Sequence, residues 1–132
     1  MDQKARRTAI TKTLKAGGAK ARKGHLRLQA GDIFWYVDVR SDSPAQDAAL
    51  TFEVGAWLPA AGPEPEGGAI DCPLLADVTV GEDAAASASE LLALVSPITD
   101  LAGLGPFIER GVLTGALVDR NLRALLDSSP RN

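Results

Sequence analysis

Alternation of apolar and polar residues is strongest over residues 32–40, which also hold three of the chain's six aromatic residues. Such β-branched and aromatic runs suit a pleated, half-buried strand. One predicted face is purely apolar and is expected to lie in the core: Ile33, Trp35, Val37 and Val39. The other face is mixed aromatic and charged: Phe34, Tyr36, Asp38 and Arg40. The sequence therefore predicts a central strand whose second face is the place to look for a function.

Three shorter alternating runs predict the rest of an antiparallel meander of about four strands: residues 25–29, 49–57 and 74–80. Residues 30–31 are predicted as a two-residue turn, which sets His25 opposite Tyr36. The favoured register of the next pair sets Tyr36 opposite Glu53. Shifts by two residues keep the same faces and fit nearly as well.

Helical periodicity flanks this sheet at both ends. A helix is predicted over residues 2–16, stopped by Gly17 and Gly18 and followed by a basic linker over residues 19–24. Beyond residue 81 we expect a helix, a break at residues 103–106 and a last helix over residues 114–127. The predicted fold class is α+β, with the C-terminal helices packed on the apolar sheet face. One domain is expected over residues 1–132, with a mobile loop at 58–73 and a frayed tail at 128–132.

Charge is divided unevenly along the chain. Residues 1–27 carry nine Lys and Arg against one acidic residue, while residues 28–132 carry five against sixteen. A basic helix beside an acidic body is favoured over a nucleic-acid-binding arm, because the acidic remainder repels phosphates. The single Cys72 fits a reducing cytoplasm, and no apolar run is long enough to span a bilayer. A soluble, cytoplasmic protein is the expectation.

Several short motifs resemble an uncharacterised bacterial family known only as a domain of unknown function. The matching pieces are LKAGG at 14–18, KARK at 20–23, VDVRS at 37–41, LTFEVG at 50–55 and CPL at 72–74. Residues 39–41 read Val-Arg-Ser where the family usually has Gln-Lys-Ser, and Ala19 stands near the position of a frequent aromatic residue. The resemblance implies an α+β fold and no settled activity.

Established catalytic and metal-binding motifs are not found in the sequence. One His and one Cys far apart do not suggest zinc, and neither a phosphate-binding loop nor a nucleophile elbow is present. No cofactor, no metal and no catalytic residue is predicted. The ligand-binding residues proposed from the sheet pattern are His25, Arg27, Tyr36, Asp38, Arg40, Glu53 and Trp57.

Three functions are weighed. The favoured one is a non-catalytic module that binds a protein or small ligand through the second sheet face or an exposed sheet edge, where a homodimer could also form. The second is a small enzyme using His25, Tyr36 and Glu53 for acid–base chemistry. The third is an anion or nucleic-acid binder whose basic residues are Lys4, Arg6, Arg7, Lys20, Arg22 and Lys23. Nucleic acid and membrane are not the expected partners.

Overall fold

A computed structural model describes residues 2–128 of the chain. Six antiparallel strands follow one another in chain order across one sheet. They are β1 (Lys20–Arg22), β2 (His25–Ala30), β3 (Ile33–Ser41), β4 (Leu50–Trp57), β5 (Leu74–Thr79) and β6 (Leu117–Val118). The helices are α1 (Gln3–Ala16), α2 (Ala84–Val95), α3 (Leu101–Glu109) and α4 (Arg120–Ser128). The predicted α+β class is confirmed, with six strands in place of about four.

The predicted basic linker is wrong, because half of it forms β1. Lys23 and Gly24 join β1 to β2 with φ values of 50° and 82°. A two-residue turn with both φ values positive is the type I′ form that suits the twist of a hairpin. The short chain between α1 and β2 therefore adds a strand to the sheet edge.

Both predicted registers are wrong by two residues, while the predicted faces are right. Gly31 and Asp32 form the turn between β2 and β3, so Ala30 pairs with Ile33. Gly31 has a φ of 59°, which a glycine adopts without strain at the first turn position. Because side chains alternate with a period of two, a shift of two residues leaves every residue on its own face. The neighbours across the strands change nonetheless.

All four helices pack on the apolar face of the sheet, as predicted for the C-terminal helices. Trp35, Phe52 and Val54 of the sheet are fully buried in this core. α1 contributes Ile10 and Leu14, which are 0% and 1% exposed, so it is a full member of the helix layer. Burial of such side chains stabilises a fold by about 1.5–3 kcal/mol each.

The C-terminal half corrects two further predictions. α3 runs through the predicted break at 103–106, since Asp100 caps its start by accepting a hydrogen bond from Gly103 N at 2.8 Å. The burial of Leu104 and Phe107 holds this glycine-rich helix on the core. The last helix begins at Arg120 and not near residue 114, because Asp119 accepts from Leu122 N at 2.8 Å and caps it there.

Residues 58–73 are here called the cover segment: Leu58 and Ala61 at its start are buried in the main core, and from Glu64 onward it lies over part of the second face of the sheet. Two 3₁₀ turns shape it, at Pro59–Ala61 and at Gly68–Asp71. The second turn packs against β3, β4 and β5. Mobility of this segment stays a prediction, as does the fraying of the tail, whose residues 129–132 lie outside the described part of the chain.

Candidate functional site

The second face of the sheet carries its own small core beneath the cover segment. Tyr36 is 0% exposed and Trp57 is 7% exposed, and both pack with Ala69 and Cys72 of the cover segment. The indole N–H of Trp57 donates to the carbonyl of Gly62 at 3.0 Å. Trp57, a predicted ligand contact, is thus a packing residue that fastens the cover segment to β4.

Two glycines allow this close approach. A Cβ on Gly55 would lie 2.6 Å from Sγ of Cys72 and 2.8 Å from the carbonyl of Ala69. A Cβ on Gly68, whose φ is 77°, would lie 2.3 Å from Nδ1 of His25. All three distances are shorter than van der Waals contact permits, so only glycine lets the sheet and the cover segment come this close at Gly55 and Gly68.

Glu64 anchors the cover segment electrostatically. Its carboxylate accepts hydrogen bonds from the hydroxyl of Tyr36 at 2.5 Å and from the guanidinium of Arg27. Nε of Arg22 lies 3.3 Å away, and Arg22 also donates to the carbonyl of Pro65 at 2.9 Å. We call these four residues (Glu64, Tyr36, Arg22 and Arg27) the Glu64 cluster. Its charged side chains are 20–30% exposed.

Charge and burial fix the protonation of the Glu64 cluster. Burial alone would raise the pKa of Glu64, but the hydrogen bonds from Tyr36 and Arg27 outweigh it and hold that pKa below its ordinary value. Burial and the bond to Glu64 raise the pKa of Tyr36. For Arg27, burial opposes the carboxylate of Glu64, and the carboxylate prevails to raise the pKa. At neutral pH the cluster therefore holds a carboxylate, a phenol and two guanidinium groups.

The predicted row of His25, Tyr36 and Glu53 does not form. With the observed registers, His25 lies across from Asp38, and its Nδ1 is 2.7 Å from the carboxylate. The other oxygen of Asp38 accepts from Ala69 N at 2.9 Å. Tyr36 instead points to Glu64. The three groups proposed for acid–base chemistry thus serve three separate structural contacts.

Arg40 and Glu53 form a different group at the end of the strands. Arg40 contacts Glu53 at 3.2 Å and Asp77 at 3.1 Å. Its side chain is 40% exposed and that of Asp77 is 53% exposed. Ion pairs with such exposed groups contribute little to stability. Of the seven predicted ligand-binding residues, the structure brings five under the cover segment. Arg27 and Tyr36 meet at Glu64, His25 meets Asp38, and Trp57 lies in the small core.

Cys72 is a free, buried cysteine. Burial, followed by the negative charge of Asp38, raises the pKa of its thiol to about 12. A thiol with this pKa is protonated at neutral pH and is a poor nucleophile. The cover segment therefore conceals no reactive cysteine.

Most cations proposed for anion binding are already engaged within the chain. Arg6 donates to the carbonyls of Ala48 and Gly81 at 3.3 and 3.1 Å. Arg7 donates to the carbonyl of Val39 at 3.0 Å. Arg22 belongs to the Glu64 cluster, and Lys23 pairs with Glu66. The basic segment thus acts largely as internal structure in the described part of the chain.

The outer side of β5 is the feature that sequence reasoning left undefined. β6 pairs only with Leu74 and Leu75, so the ladder stops there. Asp119 N donates to the carbonyl of Pro73 at 2.8 Å, which continues the pairing on the β6 side of β5. Val80 N donates to the carbonyl of Leu50 at 3.1 Å, which continues the pairing on the β4 side. In an antiparallel ladder this direction alternates from residue to residue. Odd-numbered residues of β5 therefore direct their backbone groups toward β6 and even-numbered residues direct theirs toward β4.

By this alternation, Asp77 and Thr79 direct their N–H and C=O groups away from the sheet. Both residues are exposed. Among residues 2–128, no loop or side chain forms a hydrogen bond with these backbone groups. We call this stretch, residues 76–79, the free edge. Among the described residues, Leu117 is the most exposed of the large apolar side chains, at 68%, and it lies on β6 next to where the free edge begins.

The opposite edge of the sheet is built differently. β1 has three residues, of which only Ala21 directs its backbone N–H and C=O away from the sheet. The cations Lys20 and Arg22 flank it. Short, lysine-bearing strands are a common way to discourage unwanted strand pairing. The free edge carries one acidic residue, Asp77, which Arg40 neutralises.

Fold and site together define a small α+β protein whose second sheet face is partly covered by residues 64–73 and whose free edge has outward backbone groups without a partner among the described residues. Comparison with known proteins found no matching family model, no matching curated protein and no matching solved structure. Within residues 2–128, no helix is long and apolar enough to cross a membrane. The same residues contain no group of three or more His, Cys, Asp or Glu side chains arranged to hold a metal ion.

Proposed function

We propose that this protein is a non-catalytic interaction module that binds an extended polypeptide by adding it as a strand to the free edge. The observation that carries the proposal is the pair of residues Asp77 and Thr79, whose outward backbone groups have no partner among the described residues. Main-chain hydrogen bonds of this kind supply affinity in strand-addition complexes, and alternating side chains supply specificity.

The two faces of the sheet define the segment that fits. On the apolar face, the half-buried Val78 follows the buried Ala76, so the incoming strand needs apolar residues on that side. On the second face, Asp77 and Thr79 favour polar neighbours. Alternating apolar and polar residues are therefore the expected sequence of the partner.

The second face supports the catalytic alternative less well. Tyr36 and Asp38 are occupied by Glu64 and by the backbone of Ala69. Cys72 is buried and protonated. A free thiol suits the reducing cytoplasm in which we place this module.

An alternating valine–threonine octapeptide with blocked ends and one terminal lysine is the probe. In ¹⁵N-correlated NMR spectra we expect saturable shifts confined to residues 74–80 and 117–118. The variant Thr79→Pro removes one outward N–H without removing a bond to β4, and it should abolish the shifts. The matched control Ala21→Pro removes an outward N–H from the opposite edge and should leave them intact.

Peptide shifts centred on β1, or shifts that persist unchanged in Thr79→Pro, would overturn the proposal. In a sample that stays monomeric, the absence of any shift up to millimolar peptide would also overturn the proposal. A thermal melt of each variant confirms that the compared proteins are folded.

A further inference from the structure

We infer that the strand which pairs with the free edge is β5 of a second copy of this chain, antiparallel about a two-fold axis. In this dimer Asp77 lies opposite Thr79 of the second copy, and Val78 lies beside its own counterpart. The inference rests on the proposed function and names its partner.

Backbone alternation leaves three two-fold registers to compare, because only odd-numbered residues face outward. Placing Asp77 opposite Asp77 sets two carboxylates side by side, and it requires Leu75, whose outward groups already pair with Leu117. Placing Thr79 opposite Thr79 requires Gly81. The N–H of Gly81 donates to Ser87 Oγ at 2.8 Å, and its carbonyl accepts from Arg6 at 3.1 Å.

The remaining register pairs all the outward backbone groups of Asp77 and Thr79, and it needs no backbone group that already has a partner. Asp77 and Thr79 of one copy exchange N–H···O=C bonds with Thr79 and Asp77 of the other. Each copy thereby satisfies both outward donors and both outward acceptors. β6 stops opposite Leu75, one residue before the free edge, so it blocks a longer ladder and fixes the register.

Side chains agree with this register on the apolar face. Val39 pairs with Phe52, and Phe52 pairs with Val78, in one row across β3, β4 and β5. Val39 and Val78 are only half-buried in the single chain. The two-fold axis sets Val78 beside Val78 of the second copy, which extends the row across both sheets and covers an apolar side chain at the edge.

Charges agree on the second face. Thr79 pairs with Thr51, and Thr51 pairs with Arg40. Asp77 of the second copy joins this row next to Thr79, so each carboxylate faces a hydroxyl and not another carboxylate. Like charges directly opposite one another would weaken the pairing.

A ladder this short gives a weak dimer, so its population must depend on concentration. Sedimentation equilibrium of the full chain from about 10 μM to about 1 mM covers the relevant range of dissociation constants. We expect the native protein to pass from monomer to dimer within it. The variant Thr79→Pro should stay monomeric, and Ala21→Pro should behave like the native protein.

Charge at position 79 tests the register itself. Thr79→Asp places a carboxylate opposite Asp77 of the second copy, and this happens twice per dimer. The dissociation constant should therefore rise by about 3–10-fold. Thr79→Lys should tighten the dimer by a similar factor, because the ammonium then faces that carboxylate. In a register with residue 79 opposite itself, both substitutions would weaken the dimer.

Each outcome decides between the two proposals. A native protein that stays monomeric yet binds the valine–threonine peptide overturns the dimer and leaves the strand-accepting edge standing. A dimer whose dissociation constant is unchanged by every substitution at Thr79 forms through another surface, and this result also overturns the inference. A protein that neither dimerises nor binds the peptide overturns both.

Discussion

Removing the carboxylate of Glu64 tests whether the cover segment is fastened to the sheet. Glu64→Ala takes away the acceptor for Tyr36 and Arg27 and the ion-pair partner of Arg22. Hydrogen bonds to charged groups contribute about 1.5–3 kcal/mol each, and breaking a buried ion pair costs about 3–5 kcal/mol. Since Glu64 is 20% exposed and both guanidinium groups are 26–30% exposed, water replaces part of the loss. We therefore expect a destabilisation of about 2–3 kcal/mol.

Glu66 provides the matched control two residues along the same segment. It forms one ion pair, with Lys23, and its side chain is 75% exposed. Glu66→Ala should therefore lower the free energy of unfolding far less than Glu64→Ala does. Urea unfolding followed by the fluorescence of Trp57 and Trp35 gives both free energies. If Glu64→Ala and Glu66→Ala agree within about 0.5 kcal/mol, Glu64 does not anchor the segment.

Three further predictions concern the same face. Gly55→Ala should destabilise the protein by about 1–3 kcal/mol in urea unfolding, because its Cβ would lie 2.6 Å from Sγ of Cys72; an unchanged midpoint would contradict the packing. Folding lowers the pKa of Glu64. The stability that Glu64 contributes should therefore be complete at a pH above its pKa in the unfolded chain, and it should be lost as the pH falls through its pKa in the folded protein. Native protein should thus lose more stability on acidification than Glu64→Gln, and parallel pH curves would contradict this. Cys72, with a pKa of about 12, should react with a maleimide at pH 7 only as fast as the fold opens, so rapid labelling of folded protein would show an exposed thiolate.

The sequence predicted which residues face the core but not which residues meet across the strands. Alternation assigned Ile33, Trp35 and Val37 to the apolar face, where they are buried. An alternation with a period of two fits equally well when the strands are shifted by two residues. The predicted register therefore placed Glu53 opposite Tyr36, where the structure has Gly55. The turn residues hold the missing information. Gly31 is the one residue of the β2–β3 turn that adopts positive φ without strain.

The anchoring role of Glu64 lay beyond sequence reasoning for a different reason. Its partners Arg22, Arg27 and Tyr36 are 28 or more residues away, so no local pattern links them. The one local signal is an acidic residue held between Pro63 and Pro65, which marks a stiff, extended piece of chain. The missed strand β1 did carry a signal, the Lys-Gly pair between two short runs, but its basic residues resemble a solvated linker.

Amide hydrogen exchange at Asp77 and Thr79 tests the free edge most directly. In dilute protein, both amides should exchange quickly although Val78 between them is protected by its bond to β4. At millimolar concentration, or with the valine–threonine peptide, Asp77 and Thr79 should become protected while Ala21 on the opposite edge does not. Slow exchange of both amides in dilute protein would mean that the edge is already covered, which would contradict strand addition at β5.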